Sequence, residues 1–149
     1  VINPAWGTYQ LNSYLQSWVG NNINRKGDYQ EIGTQKIYKN DKVIQLQNIL
    51  RESYPSKEKY PLSNGQIGFV KSINKGHINV MYVGIPHETF GFRGDKGEDQ
   101  DAAIELAYAI TIHKSQGSDF DTVFVVLPKT GRILSRELIY TALTRAKSV

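Results

Sequence analysis

A continuous apolar run near the C-terminus constrains the fold of this chain more than any other feature. Residues 122 to 127 read Thr-Val-Phe-Val-Val-Leu, without a single charge. Such a run is typical of a strand buried on both faces in a parallel sheet. A short strand over 105 to 108 that leads into a helix over 109 to 115, and a final helix over 136 to 146 capped by Ser135, are also expected. The pattern therefore predicts an α/β domain with a parallel sheet and flanking helices.

A cluster of β signals interrupts that pattern in the middle of the chain. Strands are predicted over 66 to 73, over 78 to 82, where apolar and polar residues alternate, and over 89 to 92. Residues 74 to 76 read Asn-Lys-Gly, which indicates a turn between the first two strands. Together these elements predict a small β-barrel or meander inserted into the α/β domain.

The first third of the chain carries weaker signals. A helix is predicted over 8 to 19, because one apolar stripe runs along it, and Gly20 is expected to end it. The stripe consists of Leu11, Leu15, Trp18 and Val19. Residues 21 to 36 read as a loop or weak hairpin, residues 42 to 47 as a strand, and the following polar stretch through Pro61 as a loop.

The composition excludes several classes of site. The chain has no cysteine, which rules out disulfides, thiol catalysis and Cys-ligated metals and fits a reducing, cytoplasmic setting. Its histidines, at 77, 87 and 113, lack metal-ligand spacing, so no metal site is predicted. No apolar run approaches the roughly 18 residues of a spanning helix, so no membrane partner is expected. The N-terminus, Val-Ile-Asn-Pro, lacks an initiator Met and suggests a piece of something longer.

The charge distribution points to a polyanion as partner. The chain carries 18 basic and 14 acidic residues, for a formal net charge of +4. Residues 114 to 149 hold six bases against three acids, whereas the stretch 95 to 105 is acidic and is expected to be a solvated loop. The C-terminal third is therefore the expected polyanion-facing surface.

The first candidate site is the polar segment between the two apolar elements, residues 107 to 120. A helix that ends at Gln116 and Gly117 would leave a turn whose backbone N–H groups can approach a phosphate. Ser118 and Asp119 would then reach a ribose or a metal-bound water. The alternative from the residues alone is an ordinary capped helix C-terminus.

The second candidate site is Arg145 on the final helix. Leu138, Ala142 and Arg145 follow at i, i+4 and i+7, so the guanidinium continues a buried stripe. Such an arginine pairs with an internal carboxylate, favours the helix C-terminus through its dipole, or faces an anion in a cleft. Composition leaves these three roles open.

Two absences limit an enzymatic interpretation. The chain has no G-x-x-x-x-G-K-[ST] sequence, so it cannot grip a nucleotide by itself. A Ser-His-Asp arrangement has no support either, because His113 and Ser115 would point to different faces of one helix.

These two segments resemble the C-terminal part of RecD-like superfamily 1 helicases. Residues 110 to 120, Ile-Thr-Ile-His-Lys-Ser-Gln-Gly-Ser-Asp-Phe, resemble helicase motif V. Residues 140 to 146, Tyr-Thr-Ala-Leu-Thr-Arg-Ala, resemble motif VI. Upstream, residues 7 to 16 are similar to an early helix of that family, and residues 64 to 68, Asn-Gly-Gln-Ile-Gly, to the opening of its SH3-like insertion.

The resemblance implies a second RecA-like motor domain, residues 1–61 and 98–149, interrupted by an SH3-like β insertion at residues 62–97. ATP and Mg²⁺ would bind between this domain and a first RecA-like domain of the same protein. The chain itself lacks the Walker A and B motifs, so we expect it to be inactive alone.

The resemblance also implies roles for individual residues. Arg145 would be the arginine finger that stabilises charge on the transferred phosphoryl group. The ATP-binding residues would be Gln116, Gly117, Ser118 and Asp119. The family more often has Glu at the position of Asp119, whose expected partner is the ribose. Single-stranded DNA would contact the motif V helix through Thr111, His113 and Lys114.

The expected β insertion has three interpretations. It contacts DNA through Lys71, Lys75 and Arg93, it binds a protein partner through Tyr82, Phe90 and Phe92, or these aromatic side chains fill its core.

The resemblance as a whole predicts a fragment of an ATP-dependent DNA helicase that moves 5′ to 3′. One alternative is the helicase half of a conjugative relaxase, which an upstream nickase domain would identify. The other is a non-catalytic scaffold for DNA or protein, which a parent chain without a phosphate loop would identify.

Overall fold

The computed structural model describes residues 7–23, 25, 27–74, 76–94, 103–127 and 135–147. The helices in this part of the chain are α1 (Thr8–Asn22) and α2 (Arg136–Leu143), and a short 3₁₀ turn spans His113–Ser115. The strands are β1 (Tyr29–Ile32), β2 (Gln35–Tyr38), β3 (Lys42–Gln45), β4 (Ile49–Glu52), β5 (Lys59–Leu62), β6 (Ile67–Asn74), β7 (His77–Tyr82), β8 (Phe90–Arg93) and β9 (Ile104–Leu106).

The main sheet is antiparallel and has the strand order β8-β7-β6-β3-β9. It curls into a half-barrel, and two separate hairpins, β1-β2 and β4-β5, accompany it. Within the described ranges the expected parallel sheet is not found, and the parallel contact there is an isolated bridge between Phe120 and Ala146. The run 122–127 is irregular and forms no ladder there, and Phe124 is 90% exposed. The prediction that this run is a strand buried on both faces is therefore wrong for this chain.

The half-barrel draws on both of the expected domains. β3 and β9 lie in the expected motor domain, whereas β6, β7 and β8 lie in the expected insertion, and β3 pairs with β6 directly. The sheet thus crosses the boundary at residue 62, and the division into a motor domain and an SH3-like insertion stays a prediction.

Aromatic side chains fill the concave face of the half-barrel. Tyr82, Phe90 and Phe92 are fully buried, and their rings contact one another at tilted and edge-on angles. The Tyr82 hydroxyl donates a 2.6 Å hydrogen bond to Oε1 of buried Gln45, which satisfies both polar groups. The interpretation in which these three aromatics bind a protein partner is therefore wrong, and the core-filling interpretation is confirmed.

Helix α1 forms as expected but runs past Gly20 to Asn22. Gly20 lies buried inside the helix, where the Arg25 side chain packs 3.5 Å from the position of an added Cβ. The most buried side chain of α1 is that of polar Asn12, whereas Trp18, which belongs to the expected apolar stripe, is 58% exposed. Asn12 makes a two-point contact with Ala109, since its Nδ2 donates to Ala109 O (2.7 Å) and its Oδ1 accepts from Ala109 N (2.9 Å).

Buried Asp41 connects four separate segments at the edge of β3. Its carboxylate accepts hydrogen bonds from the Arg25 guanidinium (2.7 Å), the Tyr38 amide (2.8 Å), the Tyr108 hydroxyl (2.8 Å) and the Gln16 side-chain amide. A buried charge is tolerated only when it is paired and hydrogen-bonded, which is the case here. The network fixes α1, the β1-β2 hairpin and the segment after β9 against one another.

Alkaline pH should weaken this network through Tyr108. Burial, followed by the charge of Asp41 and the hydrogen bond to it, raises the pKa of Tyr108 from 10.0 to about 12. Above about pH 10 the unfolded chain loses the phenol proton while the folded chain keeps it, so the free energy of unfolding falls as pH rises toward 12. Urea unfolding of wild type and Tyr108→Phe should show the wild-type advantage shrinking between these two pH values. An advantage that is constant with pH would contradict this assignment.

Candidate functional site

The segment that resembles motif V, called the motif V segment below, forms a tight turn instead of the expected helix over 109 to 115. Only residues 113–115 are helical, as a 3₁₀ turn, and Ser118 N then donates to Ser115 O at 3.1 Å. Three consecutive β-branched residues, 110 to 112, disfavour an α-helix here because their χ1 angles are restricted in that conformation. The turn closes at Gly117, whose φ of +81° suits glycine.

This turn lies on the face of the sheet opposite the aromatic core. Side chains alternate along β3, so Val43 enters the core while Lys42 points to the other face. There the Lys42 ammonium sits 5.6 Å from the ring centre of Phe120, and half-burial lowers the pKa of Lys42. On the neighbouring strand β9, Glu105 forms an ion pair with Lys114.

Helix α2 brings the motif VI arginine to the same place. Ser135 caps the helix as expected, with its hydroxyl accepting from Leu138 N at 3.2 Å. That hydroxyl also holds the pKa of Glu137 below its usual value by a hydrogen bond. The helix ends at Leu143, and the Phe120 amide donates to Arg145 O at 2.8 Å just beyond it. The two motifs are therefore joined through their backbones.

The Arg145 side chain contacts the motif V turn directly. It is 23% exposed, and its Nη1 lies 3.4 Å from Ser118 O and 3.6 Å from a carboxylate oxygen of Asp119. Its Nε donates to Thr141 O in the last turn of α2 at 3.3 Å. Of the roles left open by composition, the contact at the end of the helix is present, whereas the carboxylate that Arg145 contacts is the exposed one of Asp119 and not an internal one. Asp119 is 63% exposed, so this ion pair contributes little to stability.

The expected ATP-binding residues lie together on this turn. Gln116, Gly117 and Asp119 are exposed, whereas Ser118 is half-buried. The Ser118 hydroxyl donates to Gly65 O at 3.3 Å and so faces the half-barrel. The Arg145 guanidinium lies against this turn, next to Ser118 O and the Asp119 carboxylate.

The expected DNA-binding residues occupy the start of the same turn. Thr111 and His113 are exposed, and the Thr111 hydroxyl accepts from Lys114 N at 3.3 Å. Lys114 is half-exposed and bound to Glu105. These residues lie on a 3₁₀ turn and its approach, which corrects the expected placement on a helix.

The other two histidines lie on the surface. His77 and His87 are exposed. Among the residues that the structure describes, no group of three His, Cys, Asp or Glu side chains is arranged to hold a metal ion. No described helix is long and apolar enough to cross a membrane.

Comparisons with known proteins identify the class to which this fold and site belong. The UvrD-like helicase C-terminal domain family matches residues 106–148, which include both motifs. A crystal structure of a Pif1 helicase from Bacteroides in complex with ADP-AlF3 and ssDNA has a TM-score of 0.57 and 20% identity, over 90% of this chain and 36% of that one. The fold is therefore helicase-like.

Proteins that are similar in sequence point to the RecD group of helicases. The RecBCD enzyme subunit RecD of Mycolicibacterium smegmatis is 59% identical over 46 residues, 30% of this chain and 8% of that protein. The ATP-dependent RecD2 DNA helicase of Deinococcus radiodurans is 36% identical over 85 residues, 56% of this chain and 11% of that protein. The chain spans about a tenth of the length of the curated relatives it matches. Together these findings support a superfamily 1 RecD-like helicase C-terminal domain over the matched part of the chain.

Sequence reasoning missed two residues that hold the site in place. Asn12 fixes the segment that enters motif V, and Gly65 touches the motif V turn itself. The Asn-Gly pair at 64 and 65 was a usable signal, because this dipeptide marks a turn with positive φ. Nothing in the periodicity of α1 distinguishes Asn12 from its exposed neighbours.

Proposed function

We propose that the chain is the C-terminal part of an ATP-dependent DNA helicase, in which it supplies one side of an ATP site shared with a first RecA-like domain. The observation that carries this proposal is the convergence of Arg145 and the 116–119 turn on one surface. A surface that offers an exposed glycine turn and a guanidinium suits a phosphate chain. The names of the relatives, RecD and ATP-dependent RecD2 DNA helicase, support the same function.

Arg145 is the residue proposed to act on the reaction. The contacts to Thr141 O and Ser118 O hold the guanidinium at the turn, while its weak ion pair with Asp119 leaves it free to change partner. We propose that it stabilises the charge that develops on the transferred phosphoryl group. Gly117 would contribute its backbone to the phosphates beside Gln116 and Ser118, whose amides already donate within the turn, and Asp119 would reach the ribose.

The described part of this chain has no cluster of acidic side chains that could provide the ligands of a magnesium ion. The ion and the Walker A and B motifs are proposed to belong to the remainder of the full-length protein. The isolated chain is accordingly proposed to be inert. The motor domain over 1–61 and 98–149, the SH3-like insertion over 62–97 and a cytoplasmic setting belong to the same proposal.

Single-stranded DNA is the proposed track, with Thr111, His113 and Lys114 facing its backbone. In the full-length protein, Thr111→Ala combined with His113→Ala should weaken single-strand binding about fivefold, because exposed polar side chains contribute phosphate and sugar contacts. Fluorescence anisotropy with a labelled oligonucleotide at several salt concentrations measures this. His87→Ala removes an exposed histidine elsewhere and serves as the control. Unchanged affinity and unchanged salt dependence in the double variant would contradict the assignment.

Strand displacement by the full-length protein tests the proposed function. We expect ATP-dependent unwinding of a duplex with a 5′ single-stranded overhang, and none with a 3′ overhang, for movement 5′ to 3′. Binding of DNA without ATP hydrolysis would favour the scaffold alternative. Site-specific nicking of supercoiled DNA by an upstream domain would favour the relaxase alternative.

A further inference from the structure

The turn between β5 and β6, residues 63–66, touches the motif V turn from the side of the half-barrel. This 63–66 turn is anchored in the sheet, because Gly65 N donates to Gln45 O at 2.8 Å and Asn64 N donates to Asn48 Oδ1 at 2.8 Å. Its position is therefore set by β3 and by the segment that follows β3. A segment that contacts the 63–66 turn is therefore positioned relative to the sheet.

Gly65 makes a close approach that only glycine permits. It has a φ of +89° and is buried, and a Cβ added there would lie 3.3 Å from Lys114 O and 3.8 Å from Gln116 O. A Cβ contact of 3.3 Å is tighter than ordinary packing, and the neighbour on the other side is backbone, which cannot rotate away as a side-chain tip does. The two turns are thus packed backbone against backbone.

A hydrogen bond joins the same two turns. The Ser118 hydroxyl donates to Gly65 O at 3.3 Å, and Ser118 also presents its carbonyl to Arg145 at 3.4 Å. The chain of contacts therefore runs from the sheet through Gly65 to Ser118 and on to the guanidinium. Each link is a direct contact between neighbouring groups.

We propose that Gly65 is a positioning residue, which holds the motif V turn and, through Ser118, the Arg145 guanidinium in the geometry that hydrolysis requires. This inference rests on the proposed function and adds to it a link between the half-barrel and the nucleotide site. Gly65 touches no substrate in this account. A displacement of the turn is enough to reduce the rate, because phosphoryl transfer depends on placement.

Gly84 provides a matched control. It too has a positive φ, +96°, but nothing lies within 4 Å of an added Cβ. Alanine at either position suffers the same kind of backbone strain. Only Gly65→Ala also pushes against the motif V turn, so a difference between the two variants reports that contact.

Hydrogen exchange in the chain tests the positioning without any enzymatic activity. The reporter amides are those of Gln116 and Ser118, which donate to His113 O and Ser115 O. We expect Gly65→Ala to speed their exchange about tenfold, as local opening becomes easier, and Gly84→Ala to leave it unchanged. Equal exchange in the two variants would overturn the proposal. If Gly65→Ala does not fold, Ser118→Ala removes the connecting hydroxyl alone and should speed exchange at Gln116.

Steady-state ATP hydrolysis by the full-length protein, stimulated with single-stranded DNA, supplies the second readout. Gly65→Ala should lower kcat about tenfold with the nucleotide Kd within twofold of wild type, because positioning affects the reacting geometry more than binding. Gly84→Ala should retain wild-type kcat. Faster exchange with unchanged kcat would overturn the link to the reaction and leave the proposed function intact. A wild-type protein that hydrolyses no ATP would refute the proposed function itself.

Discussion

Replacing Arg145 by alanine is expected to lower single-strand-stimulated ATP hydrolysis by the full-length protein about 10³-fold, which is the lower end of the effects of arginine fingers. The guanidinium contacts Ser118 O of the motif V turn and Thr141 O of α2, and its ion pair with Asp119 is loose. The loss should fall on kcat, with the nucleotide Kd nearly unchanged, because the charge it stabilises develops only in the transition state. Steady-state kinetics and titration with a fluorescent nucleotide measure both quantities.

Arg136→Ala is the control for this prediction. Arg136 is an exposed arginine in the first turn of the same helix, and its removal changes the net charge by the same amount. We expect it to keep wild-type kcat. Arg145→Lys should recover little of the rate, because a lysine cannot reproduce the planar fork of donors. A loss that Arg136→Ala shares, or one confined to nucleotide affinity, would show that Arg145 is no finger.

Replacing Asp41 by alanine is expected to destabilise the fold by about 3–5 kcal/mol, the cost of leaving a buried charge without its partner. Asp41 is completely buried and accepts from Arg25, Tyr38, Tyr108 and Gln16. Its removal leaves the Arg25 guanidinium without this ion pair, although the Arg25 side chain is only 12% exposed. Equilibrium urea unfolding of the chain, followed by circular dichroism, measures the change.

Asp28→Ala is the matched control for Asp41, since Asp28 is an exposed acid just before the β1-β2 hairpin. It should change the free energy of unfolding by less than about 0.5 kcal/mol, as surface substitutions do. A cost below about 1 kcal/mol for Asp41→Ala would mean that the four donors find other partners. The network would then have no central place in the stability of the fold.

The part of the half-barrel formed by β6, β7 and β8 could be predicted because its sequence obeys a simple rule. In β7, Ile78, Val80 and Tyr82 face the core while the residues between them do not, which is the alternation expected of a sheet buried on one face. The start of helix α2 followed from the same kind of local evidence, a Ser135 cap before an amphipathic stretch, but the helix ends at Leu143 and not at the expected residue 146, so Arg145 lies just beyond it.

The β4-β5 hairpin could not be predicted from its polar composition. Its place is set by contacts distant in sequence: Tyr60 packs edge-on against Phe90 at 5.9 Å, and Arg51 lies 4.3 Å over the ring of Phe92. Propensity carries no information on such pairs. The helix expected over 109 to 115 failed for a different reason, because β-branched residues favour extended backbone.

The run 122–127 shows how burial depends on neighbours as well as on sequence. Its composition is that of a buried strand, but within the described residues no sheet flanks it, and Phe124 is left almost fully exposed. The residue pattern at 116–119 and at 145 indicates candidate site residues and the motif resemblance implies their roles, whereas the contact of Ser118 with Gly65, 53 positions apart, required coordinates. The sequence contains the groups of the site, and only the fold determines which of them meet.

The central claim is that this chain provides one half of a shared ATP site. ATP hydrolysis measured side by side for the chain alone and for the full-length protein, each with and without single-stranded DNA, tests it most directly. We predict hydrolysis by the full-length protein that single-stranded DNA stimulates, and none by the chain alone at any DNA concentration. Hydrolysis by the isolated chain, or none by the full-length protein with DNA present, would contradict the claim.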